Sequence, residues 1–187
     1  SHSLVEQYFS GVGMGLSVLA SKGKVRAAFA HKRVSEPEKG GGSSYRKAVP
    51  LDIGMLDACQ KICSHLDYTG VAMFEFKHNE QKNAWILIEV NARFWGSLPL
   101  AIFAGVNFPI LLANYLLTQQ RTNKLTYNHK ARARNLTADF YDMKISFDSL
   151  RTTSGLFTAL KKTIVRLLSM FYLLTGNETI DSFKWND

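Results

Sequence analysis

Cysteine is scarce in this chain. Cys59 and Cys63 are the only two, four apart in a stretch of helical apolar spacing from Leu51 to Leu66. With no CxxC pair and no histidine at ligand spacing beside them, they read as reduced thiols in or near a core, not as a zinc or redox site. So few cysteines in a chain this long point to the cytoplasm. The histidines are dispersed at His2, His31, His65, His78 and His129, which leaves no zinc pattern. No Ser/His/Asp or Cys/His set has a supporting motif. Acids are few as well: 15 Asp and Glu stand against 23 Lys and Arg, a net charge of +8. That balance favours an acidic partner, either nucleic acid or a phosphorylated small molecule. No nucleic-acid-binding motif accompanies it. There is no uninterrupted membrane span, since Lys161, Lys162 and Arg166 break the apolar stretch Gly155 to Leu174. No signal peptide is visible, and the chain enters a strand at once, which reads as a fragment of a longer protein.

What is present is a chain of 187 residues, 46% hydrophobic and 20% charged. That suffices for a globular core in one domain, or one domain with an appendage. Its most informative stretch is Val71 to Ser97, which reads as a β-hairpin: an apolar run to Lys77, a polar turn His78 to Asn83, and a return run Ala84 to Val90. Pairing Glu75 with Glu89 and Phe74 with Val90 gives one face of Phe74, Phe76, Ile86, Ile88 and Val90. The other face then carries Glu75, Lys77, Glu89, Asn91 and Arg93. Opposed carboxylates about 5 Å apart repel by roughly 3 kcal/mol at an effective dielectric near 20. A chain that keeps them there usually holds something positive between them. Glu75, Glu89 and the amide oxygen of Asn91 form an all-oxygen set suited to a hard cation such as Mg²⁺. Arg93, on the same face, then reaches a phosphate. The plainer alternative is an exposed hairpin face in which Lys77 neutralises one acid.

The segments FEFK and IEVNARFWGS resemble the metal-binding hairpin of the ATP-grasp superfamily: an acid on one strand, then Glu-x-Asn-x-Arg on the next. The later Ala-Gly-Val-Asn-Phe-Pro agrees with this. The likeness is to the carbamoyl-phosphate-synthase-like members and the carboxylate–amine ligases grouped with them. It covers residues 4 to 117 well. It implies an α+β fold, the C-terminal subdomain of such an enzyme, with a mostly antiparallel sheet packed against helices. It also implies ATP and Mg²⁺ (or Mn²⁺) as cofactors, with small-molecule carboxylate and amine substrates. Glu75, Glu89 and Asn91 become metal ligands, and Arg93 and Arg33 catalytic residues. Glu6, Gln7, Tyr8 and Phe9 match the hinge strand whose backbone pairs with adenine. Biotin-carboxylase-like members carry a Glu six residues after the Asn, where this chain has Ser97, which argues against a biotin-type carboxylase.

Taken in order, Leu4 to Phe9 reads as a strand, Ser10 to Gly15 as a glycine-rich turn, and Leu16 to Ala20 and Val25 to His31 as strands joined at Lys22-Gly23-Lys24. His31 to Tyr45 reads as a flexible loop, either a solvated surface segment or a lid in which Lys32 and Arg33 contact phosphoryl oxygens. Leu51 to His65, Leu98 to Gly105 and Pro109 to Thr118 read as helices. Residues 119 to 135 are basic, Asp139 to Phe147 reads as a strand, and Gly155 to Leu174 as a basic amphipathic helix that docks on protein. The expected division is 1–118 as the ATP-grasp subdomain and 119–187 as a basic linker with a helical extension. The missing N-terminal half of the same polypeptide is the expected partner, so the chain alone is expected to be inactive as a ligase. A homodimer is compatible with this reading; a membrane is not expected, nor nucleic acid. The alternative is a non-catalytic nucleic-acid-binding or assembly module that uses the basic C-terminal region.

Overall fold

The structure, a computed structural model, describes residues 8–35, 45–119 and 123–181. Strands β1 (Val12–Ser21) and β2 (Lys24–Ser35) form an antiparallel hairpin. Lys22 and Gly23 turn it with φ of 48° and 69°, the left-handed pair that a two-residue hairpin turn requires. After β3 (Tyr45–Val49) comes helix α1 (Ile53–His65), where the Asp52 side chain accepts the Met55 N–H at 2.8 Å. A second hairpin follows, β4 (Gly70–Asn79) and β5 (Ala84–Asn91), then helices α2 (Leu98–Phe103) and α3 (Phe108–Thr118). The C-terminal part adds β6 (Arg132–Arg134), α4 (Leu136–Thr153), α5 (Leu156–Leu168), a 3-10 segment (Ser169–Thr175) and β7 (Glu178–Ile180).

The strands make one sheet in the order β5-β4-β1-β2-β3-β6-β7, antiparallel except for the last pair. The fold is α+β. Helix α1 covers one face, burying Met55, Cys59 and Cys63 against Leu16, Val18, Phe74 and Phe76. Helices α2 and α3 cover the other, with Trp95, Leu100 and Phe108 against Leu19, Phe29 and Met73. Strand β1 is therefore buried on both faces, which is why Leu16 to Ala20 is apolar at every position but Ser17, itself buried.

Four expectations are corrected. Gly13 and Gly15 lie inside β1 and not in a turn; a Cβ on Gly15 would stand 2.1 Å from Cε1 of His31, and one on Gly11 2.8 Å from the backbone of His78, so both mark close approaches. Tyr8 and Phe9 carry no strand pairing, and the rest of that expected strand lies outside the described residues. His31 to Ser35 continue β2, while Glu36 to Ser44 of the expected lid lie outside the described residues. Asp139 to Phe147 is helix, started by Asn135, whose side chain accepts the Ala138 N–H at 2.9 Å.

The C-terminal segment is tied to the sheet by a buried ion cluster. Arg134 on β6 is fully buried. Its Nη1 donates to Asp139 Oδ2 at 2.5 Å and its Nε to Glu178 Oε1 at 2.7 Å, while its guanidinium lies 3.8 Å from the Tyr45 ring centroid. Arg166 on α5 pairs with the same Asp139. Burying this much charge is tolerable only because each member is matched. Among the described residues, no helix is long and apolar enough to cross a membrane.

Candidate functional site

Four strands each place one residue in a row across the sheet: His31 on β2, Gly15 on β1, Glu75 on β4 and Glu89 on β5. Residues directly opposed in register share a face, so the two carboxylates stand side by side. Just beyond Glu75 the ladder slips: Phe76 pairs with Leu87, leaving Ile88 as the extra residue of a bulge. The slip corrects the expected apolar face. Trp85 and Leu87 pack on the core beside Phe76, whereas Ile88 and Val90 are exposed on the edge strand.

The bulge leaves the acidic end in register. Asn91 Nδ2 donates to Glu89 Oε1 at 2.7 Å, and Arg93 Nη2 donates to Asn91 Oδ1 at 3.3 Å, so Glu89, Asn91 and Arg93 form a bonded chain at the exit of β5. Glu75 is reached from the opposite side, where Arg33 Nη2 donates to its Oε2 at 2.7 Å with both side chains about one-quarter exposed. Lys77, the neutralising residue of the plainer alternative, instead lies 5.5 Å over the Tyr8 ring. Among the described residues, no three His, Cys, Asp or Glu side chains gather as a metal cluster, so a cation here would draw on Asn91 as well as the two carboxylates.

Lys32 does not join Arg33. Neighbours along a strand point to opposite faces, and Lys32 pairs with Glu80 in the β4–β5 turn. Tyr8 is exposed and Phe9 half-buried, whereas Glu6 and Gln7 lie outside the described residues.

Two residues on this face carry no expectation from the sequence. Arg46 on β3 is directly opposite Arg33 in register, and its guanidinium is paired with Asp181 just after β7. Burial, followed by the neighbouring Arg33 charge, lowers its pKa. His31 is buried; burial first, then Arg46 and Arg33, pulls it down to about 3, so the imidazole is neutral at pH 7. Among the described residues, neither His31 Nδ1 nor Arg46 Nε has a hydrogen-bond partner. Gly15, His31, Arg33, Arg46, Glu75 and Ser97 line a pocket of about 110 Å³ between the cationic and acidic parts of the face. The parity of His31, Arg33 and Arg46 along two paired strands was the available signal, hidden because the segment read as loop. A second, larger cavity of about 390 Å³ lies on the C-terminal side, lined by Lys47, His129, Lys130, Arg132, Tyr172 and Asn177 among others.

A family model described as "ATP-grasp in the biosynthetic pathway with Ter operon" matches residues 1–138. No curated protein sequence matches the chain. Among solved structures, the chain is similar to a complete multifunctional pyruvate carboxylase from Rhizobium etli, at 15% identity and a TM-score of 0.51 over 65% of this chain and 12% of that one. It is similar also to the biotin carboxylase subunit of a pyruvate carboxylase, at 14% identity and a TM-score of 0.51 over 65% of this chain and 28% of that one. An L-amino acid ligase from Bacillus licheniformis matches at 19% identity and a TM-score of 0.47 over 60% of this chain and 29% of that one. The chain thus spans less than a third of the length of each, and for the two carboxylase structures the likeness, at these identities, is one of fold.

Proposed function

The chain belongs to the ATP-grasp family, and on that premise we propose that it carries the cation- and nucleotide-facing part of an ATP-dependent ligase. The reaction is activation of a carboxylate as an acylphosphate. A carboxylate oxygen bonds to the γ-phosphorus while the bond to the bridging oxygen breaks and ADP leaves. An amine or other nucleophile then attacks the acyl carbon, losing a proton as phosphate departs.

The observation that carries the reading is the register of Glu75 against Glu89, with Asn91 hydrogen-bonded to Glu89. Two carboxylates and an amide carbonyl are the hard oxygen donors that Mg²⁺ or Mn²⁺ takes. The Arg33 guanidinium at Glu75 supports the fit, because it shows a positive group drawn to this carboxylate. When bound, the ion offsets the charge of the nucleotide phosphates and of the phosphoryl group in transfer. Arg93 is held by Asn91 and the Phe94 carbonyl just past the end of β5, where it is exposed and placed to meet a phosphate oxygen. Arg33 stands across the face from it, beside the pocket, and serves the acceptor side. Phosphoryl transfer asks mainly for positioning and charge neutralisation, which is what these residues offer. Turnover on this reading also needs the N-terminal half that the family resemblance implies. Binding is therefore the property to measure on this chain.

The test is calorimetric titration of a non-hydrolysable ATP analogue, with and without Mg²⁺, into the protein and into Glu89→Gln. A nucleoside triphosphate brings about four negative charges to a face already holding two carboxylates, so binding should be weak without the cation. Glu89→Gln keeps the shape and removes a ligand charge, so folding should survive while the Mg²⁺-dependent affinity falls at least about tenfold. Equal affinity of parent and variant in Mg²⁺ would show that Glu89 is no ligand.

A further inference from the structure

The face described above contains two pairs of like charges, each directly opposed on neighbouring strands: Glu75 against Glu89, and Arg33 against Arg46. The first pair calls for a cation between its members. By the same electrostatics the second calls for an anion. In the structure Arg33 reaches across to Glu75, and Arg46 pairs with Asp181. The pocket between them is lined by both guanidinium-bearing residues, by buried His31 with no partner on Nδ1, and by Glu75. With Arg33 committed to Glu75, one donor is withheld from the pocket and a carboxylate faces it.

We propose that Arg33 is an exchangeable counter-ion. A divalent cation at Glu75 and Glu89 releases it, and the freed guanidinium, with Arg46 and His31, then binds a small oxyanion in the pocket. This rests on the reading of Glu75 and Glu89 as cation ligands and adds a rule to it. The anion site is strengthened where the cation site is filled, so an acidic acceptor engages preferentially after the metal–nucleotide. Two changes act together. Cation binding cancels the repulsion from Glu75, and it returns to the pocket the five-donor fork of Arg33, which suits a carboxylate or phosphate. His31 suits the role as well. A neutral imidazole offers one N–H to an oxyanion without adding a third like charge beside two guanidinium groups. Gly15 leaves room for that ring, and Ser97, whose hydroxyl donates to Met73 Sδ at 3.8 Å, lines the pocket with a small side chain. Linkage makes the coupling reciprocal: the oxyanion must tighten the cation by the same factor by which the cation tightens the oxyanion.

The experiment follows the arginine Nε–Hε resonances of the ¹⁵N-labelled protein by NMR. Mg²⁺ is titrated first, then sodium acetate or inorganic phosphate at constant ionic strength, with and without Mg²⁺. The expected result is that Mg²⁺ alone moves the Arg33 resonance, and that acetate or phosphate then shifts Arg33 and Arg46 together. The half-saturating anion concentration should be lower by about fivefold or more in Mg²⁺ than without it. Tighter acetate assigns the pocket to a carboxylate, tighter phosphate to a phosphoryl group. Arg33→Gln should bind Mg²⁺ at least as tightly as the parent and lose the coupling, and Arg33→Lys should keep part of it. If Mg²⁺ binds but leaves the anion affinity unchanged, the exchange is refuted while the cation site stands. If Mg²⁺ does not bind at all, the cation site and the exchange fall together.

Discussion

Gly15→Ala tests whether the imidazole of His31 occupies the centre of the site. A Cβ built on Gly15 stands 2.1 Å from Cε1 of His31 and 2.8 Å from both ring nitrogens, where ordinary contact begins at 3.4 Å. The ring must therefore retreat by about 1.3 Å. His31 is buried opposite Gly15 in register, with the Phe29 ring stacked at 6.1 Å, so retreat means an off-rotamer side chain or a shift of β2. Overpacking of this kind typically destabilises by about 1–3 kcal/mol. Replacing glycine returns about 0.5–1 kcal/mol by restricting the unfolded chain. The net expectation is a loss of about 1–2 kcal/mol, measured by urea unfolding, and a fall of several degrees in Tm at about 2–4 °C per kcal/mol for a chain of this size. The decisive comparison is Gly15→Ala made in a His31→Ala background. There the new methyl has nothing to strike, and the two substitutions should couple favourably by about 1 kcal/mol or more. A Gly15→Ala protein as stable as the parent within about 0.5 kcal/mol, or one whose loss persists in the His31→Ala background, would place the imidazole elsewhere and remove it from the pocket.

Three further outcomes are expected. His31 is held at about 3 against an ordinary 6.5, so below pH 6.5 the unfolded chain takes a proton that the native state refuses. Its contribution to stability is thus present above that value and lost as the pH falls towards 3, at up to about 1.4 kcal/mol per pH unit; His31→Gln should flatten this part of a denaturant-midpoint profile, and an unchanged slope would refute the burial. Arg134→Met removes the ion partner of buried Glu178 and leaves buried Asp139 to Arg166 alone, and should lose about 3–5 kcal/mol by chemical denaturation, with partial recovery on adding Glu178→Gln; a loss under about 1 kcal/mol would show the cluster to be open to water. Cys59 and Cys63 are buried, with thiol pKa values raised chiefly by that burial. A disulfide-exchange reagent should leave both untouched in the native protein and modify both in denaturant, and fast native labelling would contradict the packing of α1.

The hairpin that holds the acids was legible because alternation and an acid on each strand pointed to one register, and Glu75 does pair with Glu89. The bulge at Ile88 was not. Trp85, Ile86, Leu87 and Ile88 are apolar at every position, so either parity fills a core equally well and the pattern cannot choose. Gly13 and Gly15 misled in another way. Their alternation fits a strand as well as a turn, and what demands Gly15 is a ring on the neighbouring strand, sixteen residues away in register partner His31. Asp139 to Phe147 carries aromatic and β-branched residues, yet Asn135 three residues before Ala138 was a start signal for helix, and it prevailed. The Arg134 cluster gave a fainter hint. A buried acid needs a partner, but nothing local says that the partner of Glu178 lies on β6.

The placement of Arg134 between two acids also sets a timetable for synthesis. Asp139 follows it by five residues and is available as soon as the first turn of α4 forms, whereas Glu178 follows by 44. At about 5–20 residues per second, a ribosome needs roughly 2–9 s to supply it. During that interval the two hairpins β1–β2 and β4–β5 can close through their own short turns. The β3–β6 side of the sheet cannot be completed, because β7 has not yet been made. Joining the distant segment carries a loop-closure entropy of roughly 3 kcal/mol, repaid only when the last strand pairs and Glu178 docks together. The nascent chain therefore emerges with an open strand edge at β6, the kind of edge that invites pairing with a neighbouring chain. Crowded polysomes and slow codons between Arg134 and Glu178 would lengthen the exposure, and a chaperone that covers extended, positively charged segments would shorten it.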